Sequence, residues 1–193
     1  MLQQQPSPTG KDRPERILDA VLTLLARHGI SGVSMRAVAR EAGVALGLVN
    51  YYYEDKSGLI QAALQRIEQD DVSLVDPDPS LPPEQQVRAA LERGTDPELL
   101  SPEYLTLRLQ LWALGSAQPE YAAINTSAHM RYRAELASLI AAARPQASQT
   151  ECLERANDVT IIQNGIWLTT LLGFDRSSLS RARARCEAIA LAP

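Results

Sequence analysis

Apolar residues recur along this chain at helical spacing. Between Asp12 and His28, Ile17, Val21, Leu24 and Leu25 fall at i, i+4, i+7 and i+8, one stripe of an amphipathic helix. Gly29 follows, a residue that helix ends favour. Ser34, a side chain suited to capping, predicts a second helix running to about Ala42, which Gly43 interrupts. A third helix is expected from about Ala45 to Tyr51, and a fourth from near Asp55 past Ile67. The stretch VDPDPSLPP, residues 75–83, carries four prolines and cannot be helical, so it is read as a boundary. Longer helices then follow at about 84–93, 103–117, 119–143, 150–173 and 178–190. Pro119 suits a first helical turn, Pro145 and Gly173 end two of these helices, and Ser177 or Ser178 caps the last. No segment alternates with period two for long enough to make a strand, and no repeat at solenoid spacing is found. The fold class is all-α. Residues 1–10 are rich in Gln and Pro and read as a disordered arm, followed by domains at 11–74 and 75–193.

The segment MRAVAREAGVALGLVNYYYE, residues 35–54, reads as two helices meeting at a tight turn. Gly43 stands where the chain needs positive φ. Ala39, four residues earlier, lets the helices cross closely. Val38, Ala42, Val44 and Val49 form a small shared core, and Tyr52 closes its far edge. This pattern matches a helix-turn-helix, in which the second helix projects into a DNA major groove. An ordinary helical hairpin remains the alternative.

Composition changes the picture little. With 193 residues, 45% hydrophobic and 22% charged, the chain can bury a real core and is not a disordered polymer. No apolar run reaches the length of a membrane span. The first ten residues lack the basic start and apolar stretch of a secretory signal, so a cytoplasmic protein without a membrane partner is expected. Cys152 and Cys186 offer neither a disulfide framework nor a metal cluster. The net charge of −4 is unevenly spread: residues 1–66 hold eight basic and six acidic residues, a net of +2, while the remainder nets −6. Such asymmetry suits two parts with different partners, though +2 alone is a small excess.

The residues VSMRAVAREAGV followed by ALGLVNYYYEDKSGL resemble the DNA-binding domain of the TetR family of transcriptional regulators. The likeness covers about residues 12–66. It implies an all-helical, two-domain homodimer, with a helix-turn-helix domain and a larger ligand-binding and dimerisation domain. Carried over position by position, it makes 45–51 the recognition helix and Lys56 a phosphate contact, with helix amides beside it. Tyr52 matches a backbone-contacting aromatic, and Ser34 offers a hydroxyl or nearby amide to phosphate. Ala45, Leu46 and Leu48 depart from the family's usual polar residues, so base readout there leans on thymine methyls. Arg36, Asn50 and Tyr51 are the polar candidates. Lys11, Arg13 and Arg16 either reach phosphates or an adjacent minor groove, or are simply solvated.

LWALGSAQPEYAAINTSAHMRYRAELASLI, with the later IIQNGIWLTTLLG, resembles more loosely the C-terminal domain of the BetI-like branch, which includes choline-sensing regulators. Trp112 and Trp167 are the only tryptophans. Two tryptophans and a tyrosine are able to cage a cationic ligand, or are plain core. Trp112, Tyr121, His129, Gln163, Asn164 and Trp167 are the ligand candidates; Tyr104 and Tyr132 lie on the same set of helices. Gln163 and Asn164 interrupt an apolar run and need hydrogen-bond partners, either a ligand or a symmetry mate. The last two helices are Ala/Leu-rich and suit a four-helix dimer core.

The expected function is a homodimeric regulator of a palindromic operator, a repressor released by a small effector, with no cofactor. A DNA-binding regulator whose second domain binds a protein is the alternative. An all-α enzyme is more remote: HExxH, CxxC, GK[ST] and GxSxG motifs are absent, and His28 and His129 have no evident nucleophile partner. Asp70, Asp71, Asp76 and Asp78, close to prolines, read as a solvated linker.

Overall fold

The computed structural model describes residues 13–173 and 176–192, excepting the side chain of Arg176. The arm expected at 1–10, and Lys11, lie outside the described residues. Those residues form helices and turns without strands. The helices are α1 (Arg13–Gly32), α2 (Met35–Ala42), α3 (Leu46–Tyr52), α4 (Lys56–Ser73), α5 (Pro83–Arg93), α6 (Pro102–Ala117), α7 (Pro119–Ala143), α8 (Gln149–Leu171) and α9 (Arg176–Leu191). None is long and apolar enough to cross a membrane.

The chain forms two compact units, Met1–Ala63 and Leu64–Pro193. Their division falls inside α4, whereas the prolines of 75–83 had suggested 74/75. A proline run interrupts a helix but does not by itself mark where packing changes partners.

In the first unit the α1 stripe is buried: Ile17, Val21, Leu24 and Leu25 face inward with Ala20. Val33, Val38, Ala39, Ala42, Val49, Leu59, Ile60 and Ala63 complete the core. Each large aliphatic side chain contributes about 1.5–3 kcal/mol when buried. Gly29 leaves helical geometry at φ 63° and ψ −170°, so the regular part of α1 stops where the glycine predicts, and a separate helical turn continues to Gly32.

The second unit is a helical bundle. α7 packs against α5, α6, α8 and α9, and α8 against α9. Val87, Ala90, Leu91, Leu136, Ile140, Ala156 and Val159 form its main core. A smaller cluster joins Leu105, Ile166 and Trp167 with Trp112 and Leu100 around it. Both cysteines are free and buried. Pro119 occupies the first turn of α7, and Arg144, ahead of Pro145, leaves helical geometry at ψ 67°. Ser177 and Ser178 do not cap the last helix from outside: α9 already includes Arg176, and both hydroxyls accept from Arg181.

Two of the four acidic residues expected in a solvated linker, Asp70 and Asp71, belong instead to α4. Asp71 is buried and pairs with Arg108. Helical spacing turns it inward while Asp70 stays exposed.

Candidate nucleic-acid interface and ligand cavity

The turn between α2 and α3 is built by the backbone. Gly43 takes the left-handed conformation, φ 64° and ψ 40°. Its N–H donates to the Arg40 carbonyl at 3.3 Å, and the Val44 N–H reaches back to the Ala39 carbonyl at 3.0 Å. This closure satisfies the carbonyls a helix end leaves open. Arg16 of α1 supplies a further tie, donating from Nη2 to the Ala42 carbonyl at 2.8 Å. From sequence Arg16 is a phosphate contact or a solvated charge; in the fold it braces the turn. At the other end of α2, Ser34 accepts from the Ala37 N–H at 3.2 Å, a cap that stabilises by about 1 kcal/mol.

This frame fixes which face of α3 is outward. Val49 is buried, while Ala45, Leu46, Gly47, Asn50, Tyr51 and Tyr52 are exposed and Leu48 is half-buried. Tyr51 is 80% exposed, an unusual position for an aromatic ring in a folded domain. The Tyr51 and Tyr52 rings meet edge to face with centroids 5.2 Å apart, so each restrains the other. Tyr52 is 40% exposed and therefore only partly closes the core. Tyr53 sits deeper, and burial with its neighbour Tyr52 pushes its hydroxyl pKa up. Arg36 and Arg40 of α2 are exposed. Lys56, at the first position of α4, donates from Nζ to the Ile30 carbonyl at 2.6 Å. That bond uses one of three ammonium protons and holds the charge in a fixed place. Gly47 escaped the sequence reading. A Cβ there would meet nothing within 4 Å, so the outward surface of α3 has bare backbone at its centre.

The second unit contains a cavity of about 490 Å³. Trp112, His129, Gln163, Asn164 and Trp167 line it. Tyr121 does not; it is buried away from the lining. Sequence reading missed the charged wall formed by Glu68, Asp71, Arg108 and Arg133. Trp112 and Trp167 stack at 6.4 Å with planes 24° apart. The Trp167 indole N–H donates to the Gly94 carbonyl at 2.9 Å, which fixes that ring. The cation over these rings is the protein's own: the Arg108 guanidinium carbon lies 4.5 Å from the Trp167 centroid and 5.4 Å from that of Trp112. Arg108 pairs with Asp71, which also accepts from the Tyr104 hydroxyl at 3.2 Å.

Burial shapes the titration of this wall. It lifts the Glu68 carboxyl to about 7 against the opposing pull of Arg108 and Arg131. It lowers Arg108 to about 10 and raises Tyr132 to about 12. Burial and then Arg133 push His129 down. The Tyr132 hydroxyl donates to Gln163 Oε1 at 2.8 Å, leaving Gln163 Nε2 buried without a partner.

Comparison with known proteins gives consistent results. Residues 17–63 match the family described as bacterial regulatory proteins of the tetR family. Residues 83–192 match the C-terminal domain of BetI-type transcriptional repressors. The HTH-type transcriptional regulator BetI of Cronobacter sakazakii is 25% identical over 175 residues, covering 89% of this chain and 85% of that protein. A Pseudomonas aeruginosa structure assigned to a transcriptional regulator superposes with a TM-score of 0.76 at 25% identity, covering 91% of this chain and 86% of that one. A Saccharomonospora viridis regulator structure in complex with choline superposes at 0.69 with 20% identity, over 89% of this chain and 92% of that one, and shows a shared fold.

Proposed function

The chain belongs to the TetR family of transcriptional regulators, with a BetI-type C-terminal domain, and from that premise we propose that it is a homodimeric repressor released from a palindromic operator by a small effector. The family is one of DNA-binding regulators rather than enzymes. The observation that carries the reading is the outward face of α3. Ala45, Leu46, Asn50 and Tyr51 are exposed around a bare glycine, on a helix whose opposite side is locked by Val49. In a major groove, Asn50 and Arg36 supply hydrogen bonds to bases or phosphates, and Ala45, Leu46 and Leu48 supply apolar contact to thymine methyls. Ser34, Tyr52 and Lys56 hold the backbone on either side.

Pairing of two chains is supported by α8. Leu153, Ile161, Leu168 and the adjoining Leu172 are exposed, and all four fall within an arc of roughly 100° at helical spacing. One apolar stripe along one helix suits burial against its copy, with α9 beside it. The exposed side of α9 is mainly Ser, Ala and Arg, so the apolar contribution is that of α8. A cavity lined by tryptophans and orphaned polar atoms favours a small effector over a protein partner. Effector binding shifts the population between DNA-competent and incompetent forms by its difference in affinity for them. Such a regulator works in the cytoplasm, where the operator is.

The test is a gel shift and footprint with fragments of the genome that encodes the protein. Sequence-selective protection with two-fold symmetry, weakening steeply as salt rises, is the expected result. Equal affinity for every fragment would overturn the reading.

A further inference from the structure

We propose that the cavity of the second unit accepts an effector carrying a carboxylate on an apolar body, because Arg108 already occupies the aromatic pair where a cationic ligand would stand. This rests on the reading that the cavity is the effector site.

The argument starts from the indoles. Trp112 and Trp167 are close to parallel, and one guanidinium lies within cation–π range of both. Arg108 cannot leave easily. Its side chain is 9% exposed, it is ion-paired with Asp71 at 12%, and Tyr104 holds that carboxylate from the other side. A ligand cation that displaced Arg108 would separate a buried ion pair, and one that entered beside it would face like charge from Arg108 and Arg133.

The unpartnered atoms point the same way. Among the described residues that line the cavity, Arg108 Nε, Arg133 Nε and Gln163 Nε2 are buried donors without an acceptor. Glu68 Oε1 is the one orphaned acceptor in that lining. Three donors against one acceptor call for a ligand that brings oxygen lone pairs, and two of the donors belong to guanidinium groups, which favour carboxylates. The acceptor is no obstacle: with its carboxyl raised to about 7, Glu68 in its protonated form is itself a donor to an incoming oxygen. Met130, Leu111 and the indole edges leave room for an apolar body.

The experiment uses intrinsic fluorescence of the 193-residue chain without DNA, since both of its tryptophans line the cavity. The probes are benzoate, phenylacetate and octanoate, with benzamide as the neutral counterpart and choline chloride as the cation, all at constant ionic strength. A saturable change with at least one carboxylate, and none with benzamide or choline, is expected. Arg108→Met should weaken that carboxylate roughly tenfold or more, as loss of a charge-assisted contact does. The double variant Arg108→Met with Asp71→Asn removes the stranded charge and keeps the measurement on a folded protein, checked by circular dichroism. Saturable binding of choline to the unsubstituted protein, benzamide binding as tightly as benzoate, no response to any carboxylate, or unchanged carboxylate affinity in the folded double variant would each overturn the proposal. Gel shift at saturating carboxylate is a separate arm: if DNA stays bound, effector release fails while the ligand class stands.

Discussion

At Gly43 the backbone stands at φ 64°, where a side chain costs about 1 kcal/mol in conformational strain. The space itself is adequate, since an added Cβ would lie 3.4 Å from Arg16 Nη2. Gly43→Ala is therefore expected to destabilise the protein by about 1 kcal/mol through the backbone alone, read as a lower urea midpoint with unchanged slope. Lys56 combines two roles that one substitution can separate. Lys56→Gln retains a donor for the Ile30 carbonyl and removes the charge. It should leave thermal stability nearly unchanged, weaken binding to all DNA sequences alike, and lower the slope of affinity against salt by about one ion. A large loss of stability with unchanged DNA affinity would make Lys56 a structural brace only.

Among the elements, α3 is the least self-sufficient. It has seven residues, no side-chain cap, and one buried position. So short a helix holds its shape through the turn and the neighbours that Val49 packs against. Gly47 makes its outward face testable with opposite signs. Because a methyl there meets nothing, Gly47→Ala should raise stability by up to about 1 kcal/mol through helix propensity. The same methyl stands where base edges or backbone approach, so operator affinity should fall. Gain of stability with undiminished affinity in a footprint titration would place the DNA contact elsewhere.

For the whole molecule, assembly and pH are the accessible readouts. Ile161 is 62% exposed on the apolar stripe of α8. Ile161→Glu should move the protein toward monomer in sedimentation analysis and weaken operator binding, while the circular dichroism spectrum stays helical. Glu68 predicts a pH effect on stability. Its carboxyl is raised from 4.5 to about 7, chiefly by burial, with Arg108 and Arg131 opposing. The folded state therefore holds this proton more tightly than the unfolded chain. Its contribution is full below 4.5 and is lost as pH rises through about 7. Glu68→Gln should flatten that part of the melting-temperature profile; an unchanged profile would assign the slope to other groups.

The sequence by itself determined the helices, their order and most of their ends. Periodicity, proline and glycine act within a few residues: Gly29, Gly43 and Gly173, each read as a helix stop, are the glycines with positive φ among the described residues. The outward set on α3 was legible for the same reason, since one buried valine and helical spacing dictate the rest. Tertiary structure decided what Asp71, Arg108, Arg16 and Tyr121 do. Asp71 and Arg108 lie on different helices, and no local pattern announces that two charges will be buried as a pair with the cation over two indoles. A charged residue reads as surface until packing supplies its partner, because burial and long-range pairing are properties of the assembled bundle and not of any one segment.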